Sequence, residues 1–301
     1  MQLTYNLPKV QLFKAVLPVL IILHHYSIEY GFPPFLYAIG LPVVACFFTM
    51  SGYGLMTSYL SKGDRYLDGF LQRSTVKLFG PYLLALLVFL PFELHLQKST
   101  LPRYFSDVPF IHWLKYSWFV FVLWGGYFFF YLIFRLKTLT FNKIVLFAVP
   151  SAAYYVIMLV VLDGHSSVLF RTSYAIYLGM LWKYNESRLL SVLQRRFVLP
   201  VALTLSAVCF FITLQQESLL WNPLFTVTTF VCLAYALPIT RENRFIKFLS
   251  RISYEMYLWQ GLCMMLVLDY MGIDRLTRAI PLVICLDVLV SIAARKVFRQ
   301  L

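Results

Sequence analysis

The sequence is poor in charge. Only 13% of its 301 residues are Asp, Glu, Lys or Arg, about half the roughly 25% that a soluble domain carries. That shortage, with 60% of residues hydrophobic, excludes a soluble globular chain. Cysteine is scarce too. Cys46, Cys209, Cys232, Cys263 and Cys285 each fall inside an apolar stretch, and their scattered spacing matches neither a disulfide framework nor a zinc site, so no metal is expected. No polar stretch is long enough for a separate soluble domain, and a single transmembrane domain over residues 1–301 is expected. Internal repeats and low-complexity tracts are missing, which counts against a secondary transporter, since many such folds carry duplicated halves. The first apolar run lacks the short core and small-residue cleavage site of a secretory signal and is expected to remain a helix. Acidic residues are half as numerous as basic ones, giving a net charge of +13. In a membrane protein that excess reads as cytoplasmic loop charge rather than as a nucleic-acid surface.

What is present is a series of apolar windows. Runs of about 20 residues, the length that crosses a bilayer, fall near 10–30, 34–60, 75–94, 116–135, 143–162, 167–183, 196–215, 219–239, 246–270 and 279–298. The expected fold is therefore all-α, a polytopic bundle of about ten transmembrane helices, with the sixth window the weakest because it is short and carries Arg171. With both termini on one face, that face holds 20 of the 26 Lys and Arg residues and the other holds six. This asymmetry predicts that both termini are cytoplasmic, and the chain is expected as a multi-pass protein of the cell (inner) membrane.

The first window, VQLFKAVLPVLIILHHYSIEY, carries ionisable groups where a span tolerates few. Lys14 and His25 are eleven positions apart, about three full turns, so they project from one face about 16 Å apart along the axis. His24 falls about 80° off that face. Lys14 alone suits a snorkelling anchor at a helix end or an anion contact. His25 suits either a bond to a neighbouring helix or chemistry, because a neutral imidazole is a natural general base for a hydroxyl or a nucleophile toward an acyl group.

Further features lie downstream. Phe47-Phe48-Thr49-Met50-Ser51-Gly52-Tyr53-Gly54 ends the second window. Its small residues suit close helix packing, and with no G-x-S-x-G elbow in reach Ser51 is a weaker candidate for direct chemistry. Arg73 and Lys77 are spaced i, i+4 at the start of the third helix. They form either ordinary cytoplasmic charge or a paired site for an anionic phosphate. Trp118-Phe119 opens the fourth window, and Ser253-Tyr254-Glu255-Met256-Tyr257-Leu258-Trp259-Gln260 lies in the ninth. Glu255 there is expected to pair with Arg251 one turn earlier or to position a substrate. Asp287 is a carboxylate inside the tenth window with no partner visible in the sequence. The connection from His95 to Lys115 is long enough to be functional, and its Arg103, Asp107 and His112 are candidates for acceptor contacts.

In this order the pieces resemble the acyltransferase 3 family of polytopic membrane O-acyltransferases. The family pairs a first-helix arginine with a histidine eleven positions on, here Lys14 and His25. A Phe-Phe-x-x-Ser-Gly motif follows, here residues 47–52. A basic loop then leads to a Pro-Tyr helix start, here Arg73, Lys77 and Pro81-Tyr82. A Trp-Phe motif comes next, here Trp118-Phe119, and the last is a Ser-Tyr-x-x-Tyr-Leu-Trp-His/Gln motif, here residues 253–260. Two departures stand out. Lysine replaces the first-helix arginine, which keeps the charge and loses the bidentate fork. The loop cations are one residue further apart than the family's Arg-x-x-Arg.

The resemblance implies a membrane O-acyltransferase that moves an acyl group, acetyl foremost, from cytoplasmic acyl-CoA to a hydroxyl of a carbohydrate or cell-envelope glycan. It implies His25 as the catalytic residue and Lys14, Arg73 and Lys77 as donor contacts, with Ser51, Trp118, Tyr254 and Glu255 in support. Acyl-CoA would be a substrate rather than a bound cofactor. The implied partners are the lipid bilayer, the donor, the glycan acceptor and proteins of envelope biosynthesis. The other function open to such a sequence is a transporter or flippase of a lipid-linked sugar, with no chemistry at His25.

Overall fold

A computed structural model describes residues 7–30, 34–96, 114, 116–161, 172–215, 221–236, 243–273 and 275–298. Among them 90% are helical and none forms a strand. The helices in chain order are α1 (Leu7–Tyr30), α2 (Pro34–Ala38), α3 (Gly40–Lys62), α4 (Phe70–Leu96), α5 (Trp118–Phe134), α6 (Thr140–Val161), α7 (Ala175–Tyr184), α8 (Glu186–Leu193), α9 (Val198–Gln215), α10 (Trp221–Ala236), α11 (Arg244–Met265) and α12 (Leu276–Phe298). Among the described residues, five stretches are long and apolar enough to cross a membrane: Pro8–Tyr30, Phe35–Leu67, Phe70–His95, Val198–Gln215 and Leu276–Phe298. The chain is thus a multi-pass helical membrane protein. Each of the ten expected windows overlaps a helix. In the sixth the helix among the described residues is Ala175–Tyr184, and Arg171 lies outside the described residues.

Long apolar segments become helices here because a bilayer offers backbone groups no water, and a helix satisfies them internally. Pro18, Pro81, Pro91, Pro150 and Pro281 sit inside helices, which membrane bundles tolerate because neighbouring helices and hydroxyl side chains can meet the freed carbonyls. Asn243 caps α11, its side chain accepting from the Phe245 and Ile246 amides at 2.8 and 3.2 Å. Beyond Met265 the helix widens into a π turn at Leu266–Tyr270.

Two interfaces position the site. α3 and α7 approach so closely that a Cβ on Gly52 would meet the Ile176 carbonyl and one on Gly179 would meet the Thr49 carbonyl. Small residues are what permit such backbone contact in a membrane. α1 packs along α11, and α11 along α12. Between α3 and α4 the chain makes a 3₁₀ turn, Gly63–Leu67, bracketed by Gly63 and Gly69 at φ of 60° and 62°. Buried Lys143 pins this turn, donating to the Tyr59 hydroxyl and the Phe134 carbonyl at 2.8 Å each, while Tyr59 donates to Asp64 at 2.8 Å.

Candidate active site

A cavity of about 650 Å³ opens between α1, α3, α4, α5, α11 and α12, within the range of small-molecule sites, about 300–1,000 Å³. One end is cationic: Lys14 from α1, Lys77 from α4, Arg251 from α11 and Arg295 from α12 line it. Among the described residues one carboxylate, Glu255, shares that end. Ser58, Ser74, Ser250 and Ser253 add hydroxyls around it, and the other end is apolar, walled by Leu17, Phe47, Phe119 and Tyr257. A concave site with several cations, scattered hydroxyls and an apolar end can hold a polyanion at one end and an uncharged group at the other.

Glu255 does not pair within its own helix as expected. Its carboxylate accepts both oxygens' bonds from Arg295 Nη1, at 3.1 and 3.2 Å, and Arg295 also donates to the Arg251 carbonyl. The ion pair therefore ties α12 to α11, and the Arg251 side chain lines the cavity. Arg295 went unnoticed in the sequence because it reads as one more basic residue at a helix end.

His25 sits beyond the apolar end, buried at 6% exposure. Its Nδ1 lies 3.2 Å from Gln260 Oε1, and its ring stacks on Tyr116 with centroids 3.6 Å apart and planes 10° off parallel. The Gln260 amide is oriented by its Nε2, which donates to the Tyr257 carbonyl at 2.9 Å. Oε1 therefore faces the imidazole and accepts from Nδ1–H, which leaves Nε2 as the lone-pair nitrogen of the neutral ring. Tyr116 is held at a φ of 68°, uncommon for a bulky residue. Its hydroxyl donates to Glu29, and its carbonyl accepts from the Tyr257 hydroxyl at 2.5 Å. Gln260 was visible as the last residue of a motif and Tyr116 as an interfacial aromatic. Their convergence on His25 depends on how α1, α5 and α11 pack. His24 points elsewhere, with Nδ1 3.3 Å from the Leu36 carbonyl.

The remaining candidates divide. Lys14, Ser51, Lys77, Tyr254 and Glu255 all line the cavity. Ser51 Oγ donates back to the Phe47 carbonyl at 2.9 Å, and the Tyr254 hydroxyl donates to the Leu78 carbonyl at 2.7 Å. Arg73 stays outside the lining, its guanidinium donating to the Asp68 and Tyr66 carbonyls and so closing its own loop. Trp118 packs near Phe48, ring centroids 6.3 Å apart, and lines a separate apolar cavity of about 210 Å³ between α5, α6 and α7. Arg103, Asp107 and His112 lie outside the described residues. Asp287 is fully buried on α12 with Cys263 Sγ 4.0 Å from Oδ1.

Comparison with curated proteins and with solved structures finds no match. The model of one family, described as an acyltransferase domain, matches residues 7–295. That span takes in α1 to α11, most of α12, the four cations of the cavity and His25 with its Gln260 partner, so the chain belongs to the acyltransferase 3 family of membrane acyltransferases.

Proposed function

We propose that the protein is an O-acyltransferase of the inner membrane, taking an acyl group, acetyl foremost, from acyl-CoA on the cytoplasmic side and passing it to a hydroxyl of a carbohydrate or envelope glycan. One observation carries this reading: a cavity with four cations at one end has its apolar end against the helices that hold His25. The topology that accompanies it is ten spans with both termini cytoplasmic, which places the cationic mouth on the donor's side.

In this reading Lys14, Lys77 and Arg251 meet the donor's phosphates, and Arg295, neutralised in part by Glu255, completes the ring. The pantetheine arm and thioester lie toward Leu17, Phe47 and Tyr257. His25 Nε2 takes the proton of the acceptor hydroxyl as its oxygen attacks the thioester carbonyl carbon. The C–O bond forms, the C–S bond breaks with its electron pair leaving on sulfur, and the proton passes from the imidazolium to the thiolate, giving the ester and free CoA. Gln260 keeps Nδ1 protonated throughout, so the base is always Nε2.

The experiment is to supply acyl-CoA to inverted membrane vesicles containing the protein and to follow thiol release together with mass spectrometry of the envelope glycans. Release coupled to glycan acylation is expected. Transport of a lipid-linked sugar without thioester consumption would overturn the proposal in favour of a flippase.

A further inference from the structure

The cavity stops short of His25: on α1 it ends about two helical turns below the histidine, and near α5 and α11 about one turn from the residues that touch the imidazole. On α1 its wall ends at Leu17, on α5 at Phe119 and on α11 at Tyr257. The next residues toward the imidazole are Ile21, fully buried, Tyr116, stacked on the ring, and Gln260, bonded to it. What closes the end is aromatic. Phe47 and Phe119 have centroids 5.8 Å apart, Phe47 and Tyr257 6.2 Å, and Phe119 and Tyr257 5.0 Å, with planes 55° to 65° apart. Rings at these spacings are in contact, so the three form a layer across the path from the cationic mouth to the base.

We propose that Phe47, Phe119 and Tyr257 are the constriction that sets acyl-chain length, passing short acyl groups toward His25 and refusing long ones. This inference rests on the reading that acyl-CoA occupies the cavity. The layer is linked to the histidine. The Tyr257 hydroxyl donates to the Tyr116 carbonyl at 2.5 Å, and the Tyr116 ring covers the imidazole at 3.6 Å. Moving Tyr257 aside to admit the acyl group therefore loosens the residue that covers His25. Tyr116 sits at an uncommon φ that surrounding contacts must hold, and the Tyr257 bond is one of those contacts, so its loss favours release. Passage and exposure of the base become one event, and a group too wide to part the rings meets a covered imidazole.

A hydrophobic site discriminates by about 10–200-fold per methylene. The test uses inverted vesicles from the protein's own source cells, which carry the native acceptor, supplied with acetyl-CoA, butyryl-CoA or hexanoyl-CoA. Thiol release and glycan acylation are both read. For the folded wild type, acetyl transfer is expected to exceed hexanoyl transfer by about 100-fold or more in kcat/KM, with hexanoyl-CoA inhibiting acetyl transfer competitively because it fills the cavity without passing the rings. Phe119→Ala is expected to raise the hexanoyl-to-acetyl ratio at least about tenfold. Phe119→Leu and Phe47→Leu, which keep the layer apolar, carry the test if the alanine variant fails to fold. An unchanged ratio in folded variants that still transfer acetyl would overturn the constriction while leaving acyl transfer standing, as would a wild type that transfers hexanoyl as fast as acetyl. A wild type that releases thiol from none of the three donors would overturn the acyl-transfer reading, and the constriction with it.

Discussion

Replacing Gln260 with leucine removes a buried side-chain contact that orients His25. Gln260 is fully buried, and its Oε1 accepts from His25 Nδ1 at 3.2 Å. Leucine keeps the volume and removes the acceptor, and losing one partner of a buried hydrogen bond costs about 1–3 kcal/mol. The imidazole relieves that cost by turning or by moving its proton to Nε2, and either change takes away the lone pair that faces the acceptor hydroxyl. If the whole cost falls on the reactive geometry, kcat drops by about 5-fold to 150-fold. The Michaelis constant for acyl-CoA should stay within about twofold, because Gln260 lies outside the cavity lining and touches no donor group. Gln260→Glu retains an acceptor oxygen at that position and should recover most of the lost kcat. The assay is initial-rate thiol release in vesicles with matched amounts of folded protein, judged by size-exclusion behaviour in detergent. An unchanged kcat in Gln260→Leu, or a raised Michaelis constant at constant kcat, would refute the assignment of Gln260 as the residue that sets the tautomer.

Other predictions concern the mouth and the packing. Lys14→Ala, Lys77→Ala and Arg251→Ala should each raise the Michaelis constant for acyl-CoA about fivefold, the equivalent of about 1 kcal/mol for a solvent-reachable charge. Arg73→Ala, whose guanidinium serves its own loop, should change it by less than about twofold. Raising the salt concentration should raise the wild-type Michaelis constant, since screening weakens every one of these contacts. Gly52→Ala and Gly179→Ala should each lower stability by about 1–3 kcal/mol, seen as earlier thermal unfolding in detergent, because the added methyl meets backbone that cannot yield. Gly54→Ala meets open space and should unfold with the wild type.

The helices were legible because a bilayer leaves hydropathy little freedom, and each apolar window overlaps one. The Lys14–His25 line was legible for a similar reason, since helical period alone puts both on one face, and the cavity takes up Lys14 while its closed end stops about two turns below His25 on that helix. What the sequence hid was pairing between helices. Glu255 has an arginine one turn away and uses another 40 residues later, a choice made by the packing of α11 on α12. Tyr116 precedes its helix in a turn, where no periodicity aims a side chain. The aromatic layer was invisible for a different reason. With 28 phenylalanines and 21 tyrosines in the chain, Phe47, Phe119 and Tyr257 stand out only once three helices bring them together.

The central claim is that His25 acts on the acceptor. Its most direct test is acyl transfer by His25→Ala in vesicles, with folded protein matched to the wild type and donor binding checked by competition with CoA. A loss of at least about 100-fold in kcat is expected, the scale of general-base catalysis, with CoA binding retained because His25 lies beyond the cavity. Near wild-type turnover in the folded variant would contradict it.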